Sequence, residues 1–199
     1  MILETVPEGR MVETDAQLIT ECRAGDVDAF GRIYVRHEQA LFRHAYYLLG
    51  QREDADDVKQ ETFLRAFRMI GSLRNDYNIR TWLYKICSNL CCDLLRRRQR
   101  RPQIALNSDS AAYFLTDEAQ ANDPILIAER SDTLASFLHI LSGMPVQQRQ
   151  AITLYLIEGF DYAQIAEIMG IARGSAKMRV LRAIDQYRER VASFLQERD

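Results

Sequence analysis

Four side chains near the end of the chain could read the edges of DNA base pairs. On a helical wheel, the residues that would face away from a core are Lys177, Met178, Leu181 and Arg182. The opposite arc holds the residues that would face inward, Ala176, Val180, Ala183 and Tyr187. Because cations bind phosphates or guanine edges and apolar groups contact thymine methyls, the outward face is suited to a major groove. The alternative is a packed helical hairpin without a DNA role, because a helix–turn–helix pattern in a sequence is only weak evidence of DNA binding.

A second group of side chains is suited to single-stranded nucleic acid. The stretch RTWLYKICSNLCCDLLRRRQRR, residues 80–101, carries one helical stripe made of Trp82, Lys85, Asn89 and Arg96. An aromatic ring can stack on a base, an amide can bond a base edge, and cations can hold phosphates. The polar segment NDYNIR just before Trp82 could form a pocket for an unstacked base. The alternative for Trp82 is core packing under that segment.

A third group predicts a contact with another protein. Between Arg52 and Ile70, the residues expected to face inward are Ala55, Val58, Thr62, Ala66 and Ile70. The opposite face gathers the charged residues Asp54, Asp57, Glu61, Arg65 and Arg68. Leu64 lies within this charged face, beside Asp57 and Gln60. An apolar residue among polar ones is typical of a mostly polar protein–protein contact, although a single exposed Leu is common.

The cysteines give little indication of chemistry. Cys22, Cys87, Cys91 and Cys92 form no pair with the spacing of a metal site, and we expect them to be reduced and to pack as small apolar residues. A thiol or metal enzyme built on Cys87, Cys91, Cys92 and His44 would lack any arrangement of nucleophile and base. We therefore predict no catalytic residue, no metal and no cofactor.

The apolar periodicity predicts an all-α protein with two small helical domains. From Asp15 to Arg101 the helical pattern is broken only at residues 24–26, 50–51 and 71–78, which predicts a four-helix bundle. In the last of these helices, the residues predicted to be buried are Leu83, Ile86, Leu90 and Leu94. Residues 102–131 lack a sustained period and are predicted to be an extended linker.

Periodicity resumes near Ile125, and breaks at residues 143–145, Gly159 and Gly170 indicate a second helical domain. Within it, Asp161 is predicted to cap a helix that ends at Gly170, and the next helix is predicted to begin near Arg173. This second domain therefore contains a helix–turn–helix.

The charge of the chain is nearly balanced overall but uneven along its length. The formal net charge is −2, and residues 14–101 carry 16 Lys and Arg against 12 Asp and Glu. Residues 102–131 carry one basic residue against five acidic ones. Five arginines lie between Arg96 and Arg101, a density compatible with nucleic-acid binding or with a solvated surface. No apolar run approaches the roughly 20 residues that span a bilayer, and no signal peptide is evident, so we expect a cytoplasmic protein without membrane insertion.

Three stretches together resemble the extracytoplasmic-function sigma factors, a compact group of bacterial transcription initiation factors. They are DADDVKQETFLRAF (residues 54–67), TWLYKICSNLCCDLLRRRQR (81–100) and MPVQQRQAITLYLIEGFDYAQIAEIMGIARGSAKMRVLRA (144–183). The resemblance covers about residues 15–190. It implies a flexible tail at residues 1–13, sigma region 2 at 14–101, an acidic linker at 102–131 and sigma region 4 at 132–199.

The resemblance also implies partners and site residues. Region 2 would bind the clamp helices of core RNA polymerase through Asp54, Asp57, Gln60, Glu61 and Leu64. It would capture the melted minus-10 strand of promoter DNA through Asn75, Asp76, Tyr77, Asn78, Arg80, Trp82, Lys85, Asn89, Arg96 and Arg97. Region 4 would read the minus-35 duplex through Gly174, Ser175, Lys177, Met178, Leu181 and Arg182. The linker would thread through the polymerase, and an anti-sigma factor would hold the protein inactive.

The chain departs from the family pattern at Ala172-Arg173, where members commonly carry Pro-Val. Arg173 is therefore expected to add a phosphate contact to the minus-35 surface. The alternative function is a stand-alone helix–turn–helix regulator whose N-terminal bundle senses a signal or dimerises. That alternative leaves the stripe at residues 80–101 and the acidic linker unexplained. No small-molecule substrate is expected.

Overall fold

The computed structural model describes residues 13–73, 78–100 and 124–196. Its helices are α1 (Asp15–Arg23), α2 (Val27–Leu49), α3 (Arg52–Met69), α4 (Ile79–Arg100), α5 (Pro124–Ser142), α6 (Val146–Ile152), α7 (Tyr162–Met169) and α8 (Arg173–Gln196). A 3₁₀ turn (Ile70–Ser72) follows α3, and a π-helical turn (Thr153–Ile157) follows α6. The described residues form no strand, which confirms the predicted all-α fold.

Local capping explains where the first helices begin and end. Thr14 accepts a hydrogen bond from the backbone N–H of Gln17, and the Gln17 side chain accepts one from the Thr14 N–H at 2.7 Å. Asp26 starts α2 because its Oδ1 accepts a hydrogen bond from the Asp28 N–H at 2.8 Å. Gly50 ends α2 in the left-handed conformation, with φ of 72°. Helices α1, α2 and α3 therefore follow one another through short turns.

Helices α1–α4 enclose an apolar core. From α2, Ile33, Leu41 and Leu48 are fully buried. The residues of the α3 segment predicted to face inward are all buried: Ala55, Val58, Thr62, Ala66 and Ile70. Removing these apolar groups from water is the main force that holds the bundle together.

The buried face of α4 differs from the sequence-based prediction. Leu83 is buried as predicted, but Ile86, Leu90 and Leu94 are only partly buried. Besides Leu83, the residues of α4 that lie deepest are Ile79, Thr81, Tyr84, Cys87, Ser88 and Cys91. The reason is that α2 and α3 pack on one side of α4 while α7 packs on another. A helix covered on two sides has no single inward arc.

The second half of the chain contains the predicted helix–turn–helix. Asp161 starts α7 by accepting hydrogen bonds from the N–H groups of Ala163 and Gln164, at 2.7 and 2.9 Å. Gly170 ends α7 with φ of 65°, and α8 begins at Arg173. The inward residues of α8 include Ala176, Val180 and Ala183, all fully buried, and the partly buried Tyr187.

Helix α5 begins at Pro124, one residue before Ile125, where the helical periodicity of the sequence resumes. The last residues of the stretch 102–131, which was predicted to be an extended linker, are therefore helical.

The two halves pack against each other along α4 and α7. Arg149 of α6 reaches across and donates a hydrogen bond from Nη1 to the carbonyl oxygen of Leu48, at 2.5 Å. The rings of Tyr84 and Phe160 meet edge to face, with centroids 4.9 Å apart. One cluster of buried apolar residues runs through both halves. We call this boundary the seam, defined by α4 on one side and α6, the π-helical turn and α7 on the other.

Candidate nucleic-acid interface

The outer face of α8 is exposed as a base-reading surface requires. Met178 is 49% and Leu181 39% exposed, and Lys177 and Arg182 on either side of them are also exposed. The fully buried residues of α8 lie on the opposite face, so these four side chains are not needed by the core. The wheel prediction for α8 thus agrees with the structure.

The first turn of α8 offers backbone donors beside this face. Arg173, Gly174 and Ser175 are exposed there. The first N–H groups of a helix lack partners within the helix and favour anions such as phosphate. Arg173 adds a cation at the position where the sequence departs from the family.

A groove of about 740 Å³ lies between α4, α6 and the start of α8. Its walls include Arg96 from α4 and Met178, Arg179 and Arg182 from α8. The structure therefore brings a residue predicted to bind the minus-10 region next to residues predicted to read the minus-35 duplex. Arg179, which sequence reasoning did not single out, adds a cation to this groove.

The residues predicted to hold a single strand have different environments. Asn89, Arg96 and Arg97 are exposed on α4, and Lys85 is partly buried. Trp82 is only 8% exposed, in agreement with the core-packing alternative and not with an open stacking platform. Asn75, Asp76 and Tyr77 lie outside the described residues.

Asn78 has a structural role at the start of α4. Its Oδ1 accepts a hydrogen bond from the backbone N–H of Thr81 at 3.1 Å. This bond satisfies one of the free donors of the first helical turn. The side chain of Asn78 therefore fixes where the helix carrying the stripe begins.

Arg80 is held by the second half of the chain. Its Nη2 donates a hydrogen bond to the carbonyl oxygen of Glu158 at 2.5 Å and lies 3.5 Å from Glu158 Oε2. Its guanidinium carbon lies 4.1 Å from the centroid of the Phe160 ring, a cation–π contact. The hydroxyl of Tyr84 donates a hydrogen bond to the same carboxylate.

Glu158 is a buried carboxylate that sequence reasoning missed. Its exposed fraction is 9%, and burial raises its pKa, an effect opposed by the hydrogen bond from Tyr84 and the charge of Arg80. The only signal in the sequence is one acidic residue after the apolar run TLYLI. Its partners are more than 70 residues away along the chain, so that signal could not have identified them.

The exposed face of α3 has the composition predicted for a protein contact. Leu64 is 51% exposed, with Asp57 and Gln60 exposed on the same helix. Glu61 forms an ion pair with Arg65 at 2.7 Å. Asp54 is bound to Arg98 of α4, so this carboxylate also ties α3 to α4.

The cysteines and His44 belong to the interior. Cys87 and Cys91 are buried, and Cys22 and Cys92 are partly buried, all as free thiols. His44 is fully buried, with Nε2 2.9 Å from Ser88 Oγ, and burial lowers its pKa to about 3. Within the described ranges, no group of three His, Cys, Asp or Glu side chains could hold a metal ion. None of the helices in those ranges is long and apolar enough to cross a membrane.

Comparison with known proteins identifies the family. Residues 33–101 match sigma-70 region 2, and residues 134–186 match sigma-70 region 4. The ECF RNA polymerase sigma factor SigM of Mycobacterium tuberculosis is 33% identical over 187 residues, which cover 94% of this chain and 87% of the relative. The RNA polymerase sigma-H factor of Pseudomonas aeruginosa is 29% identical, over 93% of this chain and 97% of the relative.

Solved structures agree with this relationship. The sigma factor RpoE of Bartonella quintana, solved in complex with the anti-sigma factor NepR, is similar with a TM-score of 0.66 and 25% identity, covering 83% of this chain and 98% of that one. CnrH, solved with the cytosolic domain of CnrY, has the same fold with a TM-score of 0.66 and 23% identity, covering 91% of this chain and 99% of that one. The chain therefore belongs to the ECF RNA polymerase sigma factors and is a transcription initiation factor.

Proposed function

We propose that this sigma factor selects promoters through three surfaces whose residues can be assigned individually. The observation that carries the proposal is the outer face of α8, where two cations flank two exposed apolar side chains. Lys177 and Arg182 would bind guanine edges or phosphates, and Met178 and Leu181 would contact thymine methyls. Arg173, Gly174 and Ser175 would hold the adjacent phosphates of the minus-35 duplex.

The minus-10 strand would lie along α4 and the segment before it. Asn89 would bond a base edge, while Arg80, Lys85, Arg96 and Arg97 would bind phosphates. Asn75, Asp76, Tyr77 and Asn78 would form the pocket for an unstacked base. We assign Trp82 a supporting role beneath this surface, because its ring is almost entirely buried.

Core RNA polymerase would bind the exposed face of α3. Leu64 would be the apolar centre of the contact, with Asp57, Gln60 and Glu61 around it. A contact of this kind needs a desolvated centre and a polar rim, and the burial pattern of α3 supports that arrangement. Asp54 would act at the edge of the contact while it also holds Arg98.

The other assignments follow from the family. The protein would act in the cytoplasm, where polymerase and promoter DNA are found, and would have no catalytic activity of its own. An anti-sigma factor would be its regulator, since RpoE of Bartonella quintana was solved with one. Neither a cofactor nor a small-molecule substrate is part of the proposal.

The test is transcription from a pool of genomic DNA fragments with core polymerase and purified protein, followed by sequencing of RNA 5′ ends. We expect discrete start sites that share two upstream sequence motifs. Polymerase output that is the same with and without folded protein would contradict the proposal and favour a stand-alone regulator. Variants of the three surfaces should then be defective in different steps: recognition of the minus-35 duplex, capture of the minus-10 strand, or binding of core polymerase.

A further inference from the structure

A cleft between α5 and the last turns of α8 is separate from the surfaces described above. One wall consists of the end of α5 and the turn after it, and the other consists of side chains from residues 186–194 of α8. Its volume is about 560 Å³, within the range of about 300–1,000 Å³ that is usual for small-molecule sites. Neither the seam nor the outer face of α8 contributes to its walls. We call it the α5–α8 cleft.

Arg190 brings a positive charge to this cleft without a partner for it. Its Nε is buried and makes no hydrogen bond. Among the described residues, its guanidinium forms no ion pair either. A buried donor without an acceptor lowers the stability of the fold. An oxyanion would supply the acceptor, and the planar fork of guanidinium donors matches the two oxygens of a carboxylate.

Gly143 leaves the space in which this guanidinium lies. A Cβ atom at residue 143 would lie 2.9 Å from the guanidinium carbon of Arg190 and 3.4 Å from its Nη2. Carbon atoms in favourable contact are about 3.5–4.0 Å apart, so a side chain at residue 143 would push the guanidinium away. The turn after α5 is therefore shaped to accommodate Arg190 at the wall of the cleft.

Gln186 adds an unpaired acceptor one helical turn before Arg190. Its Oε1 is buried and has no hydrogen-bond partner within the described part of the chain. Residues four apart lie on the same face of a helix, but Gln186 Oε1 and Arg190 Nε are not bonded to each other. An N–H or O–H group of a ligand would satisfy this oxygen.

The two serines and the glutamate of the cleft also offer acceptors and not donors. Ser142 Oγ donates to the carbonyl oxygen of His139 at 2.7 Å, and Ser193 Oγ donates to that of Glu189 at 3.1 Å. Because each hydroxyl has a single proton, these oxygens can only accept from a ligand. The exposed side chain of Glu189 carries a negative charge at the same cleft. The cleft is thus complementary to a molecule with one anionic group and a nearby donor.

Apolar groups complete the walls. Ile140 is buried, and the ring of Phe194 lies against that of His139, with centroids 5.7 Å apart. These groups would cover an apolar side chain of the ligand, since removing it from water is favourable.

We propose that the α5–α8 cleft binds a free α-amino acid with an apolar side chain. Its carboxylate would bind Arg190, its amino group would donate to Gln186 and Glu189, and its side chain would pack against Ile140 and Phe194. This site is independent of the surfaces proposed for promoter DNA and polymerase. Because the ligand would join α5 to the helix that carries the base-reading face, binding would restrain α8 relative to α5.

Nuclear magnetic resonance titration of the isotope-labelled full chain with L-phenylalanine or L-leucine tests the site. We expect saturable shifts of the backbone signals of residues 139–143 and 186–194. Phenethylamine lacks the carboxylate and hydrocinnamate lacks the amino group, so each should bind at least about tenfold more weakly than phenylalanine. Inorganic phosphate, a simple anion, should not produce these shifts.

Variants of the full chain establish where the amino acid binds. Arg190→Met keeps the apolar stem and removes the guanidinium, so binding should be lost. Arg188→Met, at an exposed position on the same helix, is the matched control and should bind as the parent does. Gln186→Glu places a carboxylate one turn before Arg190, where it can pair with the guanidinium and exclude the ligand. It decides the case if Arg190→Met does not fold.

Three results would overturn the proposal. One is the absence of saturable shifts with both amino acids up to the limit of their solubility. Another is equal affinity for phenylalanine and for phenethylamine, hydrocinnamate or phosphate. The third is unchanged binding by folded Gln186→Glu protein. None of these measurements uses polymerase or DNA, so their outcome does not depend on the proposed function.

Discussion

The residues proposed for base recognition and those proposed for polymerase binding lie on different helices, so their roles should be separable by mutation. Lys177 and Arg182 are exposed on α8, and neither is needed by the core. Leu64 is exposed on α3, in the other half of the chain. Substitutions at these positions should therefore affect one partner and leave the fold intact.

We predict that Lys177→Ala and Arg182→Ala each weaken promoter recognition by about 1–3 kcal/mol, the usual value of a base-edge contact. The affinity for core polymerase should not change. The measurement is abortive transcription on an identified promoter, with polymerase affinity measured in parallel. Arg188→Ala, an exposed arginine further along α8, is the matched control. A parallel loss of polymerase affinity would show that these side chains do not belong to the DNA surface.

Leu64→Asp should abolish polymerase binding without unfolding the bundle. A carboxylate at the centre of the contact would lose its water without gaining a partner. The fold should tolerate it because Leu64 is 51% exposed. Val35→Asp, at a position 72% exposed on α2, controls for the added charge. Binding would be measured by co-elution with core polymerase, and folding by thermal denaturation. If the Leu64→Asp protein is unfolded, Leu64 belongs to the core.

Single residues were predictable from the sequence where one side of a helix is covered. For α3 and α8, a helical wheel predicts the inward-facing residues, and these residues are buried or partly buried in the structure. The helical wheel placed Trp82 on the exposed face of α4, but the residue is almost buried, because other helices pack on two sides of α4. Glu158 could not be predicted, since its partners Arg80 and Tyr84 come from a distant part of the chain.

At the scale of elements, helix boundaries were predictable because caps are local. Asp161 and Gly170 delimit α7 through bonds and backbone angles that involve only neighbouring residues. The start of α5 at Pro124 lies next to Ile125, where the helical periodicity of the sequence resumes. Which surfaces of two helices meet cannot be predicted from such local signals, because the contacting residues are distant along the chain.

The pair of His44 and Ser88 joins α2 to α4 and makes the stability of the protein depend on pH. Burial lowers the pKa of His44 from 6.5 to about 3, so the unfolded chain binds a proton in that interval that the folded chain does not. Stability from this group is complete above pH 6.5 and falls as the pH falls toward 3, by at most about 1.4 kcal/mol per pH unit.

The prediction is tested with His44→Gln, which keeps a polar group near Ser88 but cannot titrate. Urea unfolding at pH 7 and pH 5 should show a loss of stability in the parent that exceeds the loss in the variant by about 2 kcal/mol. His139→Gln, at an exposed position on α5, should behave as the parent does. Equal losses in the parent and in His44→Gln would mean that His44 is not held neutral in the folded chain.

At the scale of the whole molecule, two helical halves were predictable but their contact was not. Periodicity and composition identify each half separately, because these patterns arise within one stretch of sequence. The contact between the halves depends on Arg149 meeting a carbonyl of α2 and on Tyr84 meeting Phe160, across separations of 101 and 76 residues. These contacts give the molecule a closed arrangement that neither half contains alone.

The closed arrangement and the overall charge both predict that the free chain binds promoter DNA poorly. A net charge of −2 provides little general attraction to phosphates, and Arg80 is already bound to Glu158. Affinity of the free chain should therefore stay near the non-specific range of about 10⁻⁴–10⁻⁶ M, with little preference for promoter over scrambled sequence.

With core polymerase present, the same labelled promoter fragment should bind tightly and in preference to the scrambled one. Fluorescence anisotropy at a fixed salt concentration measures both cases, because the electrostatic part of binding varies with salt. Tight, sequence-specific binding by the free chain would favour a stand-alone regulator. It would also show that the groove between α4 and α8 is open to DNA without polymerase. Specificity that appears only with polymerase would support the proposed function, because a sigma factor acts as part of the polymerase complex.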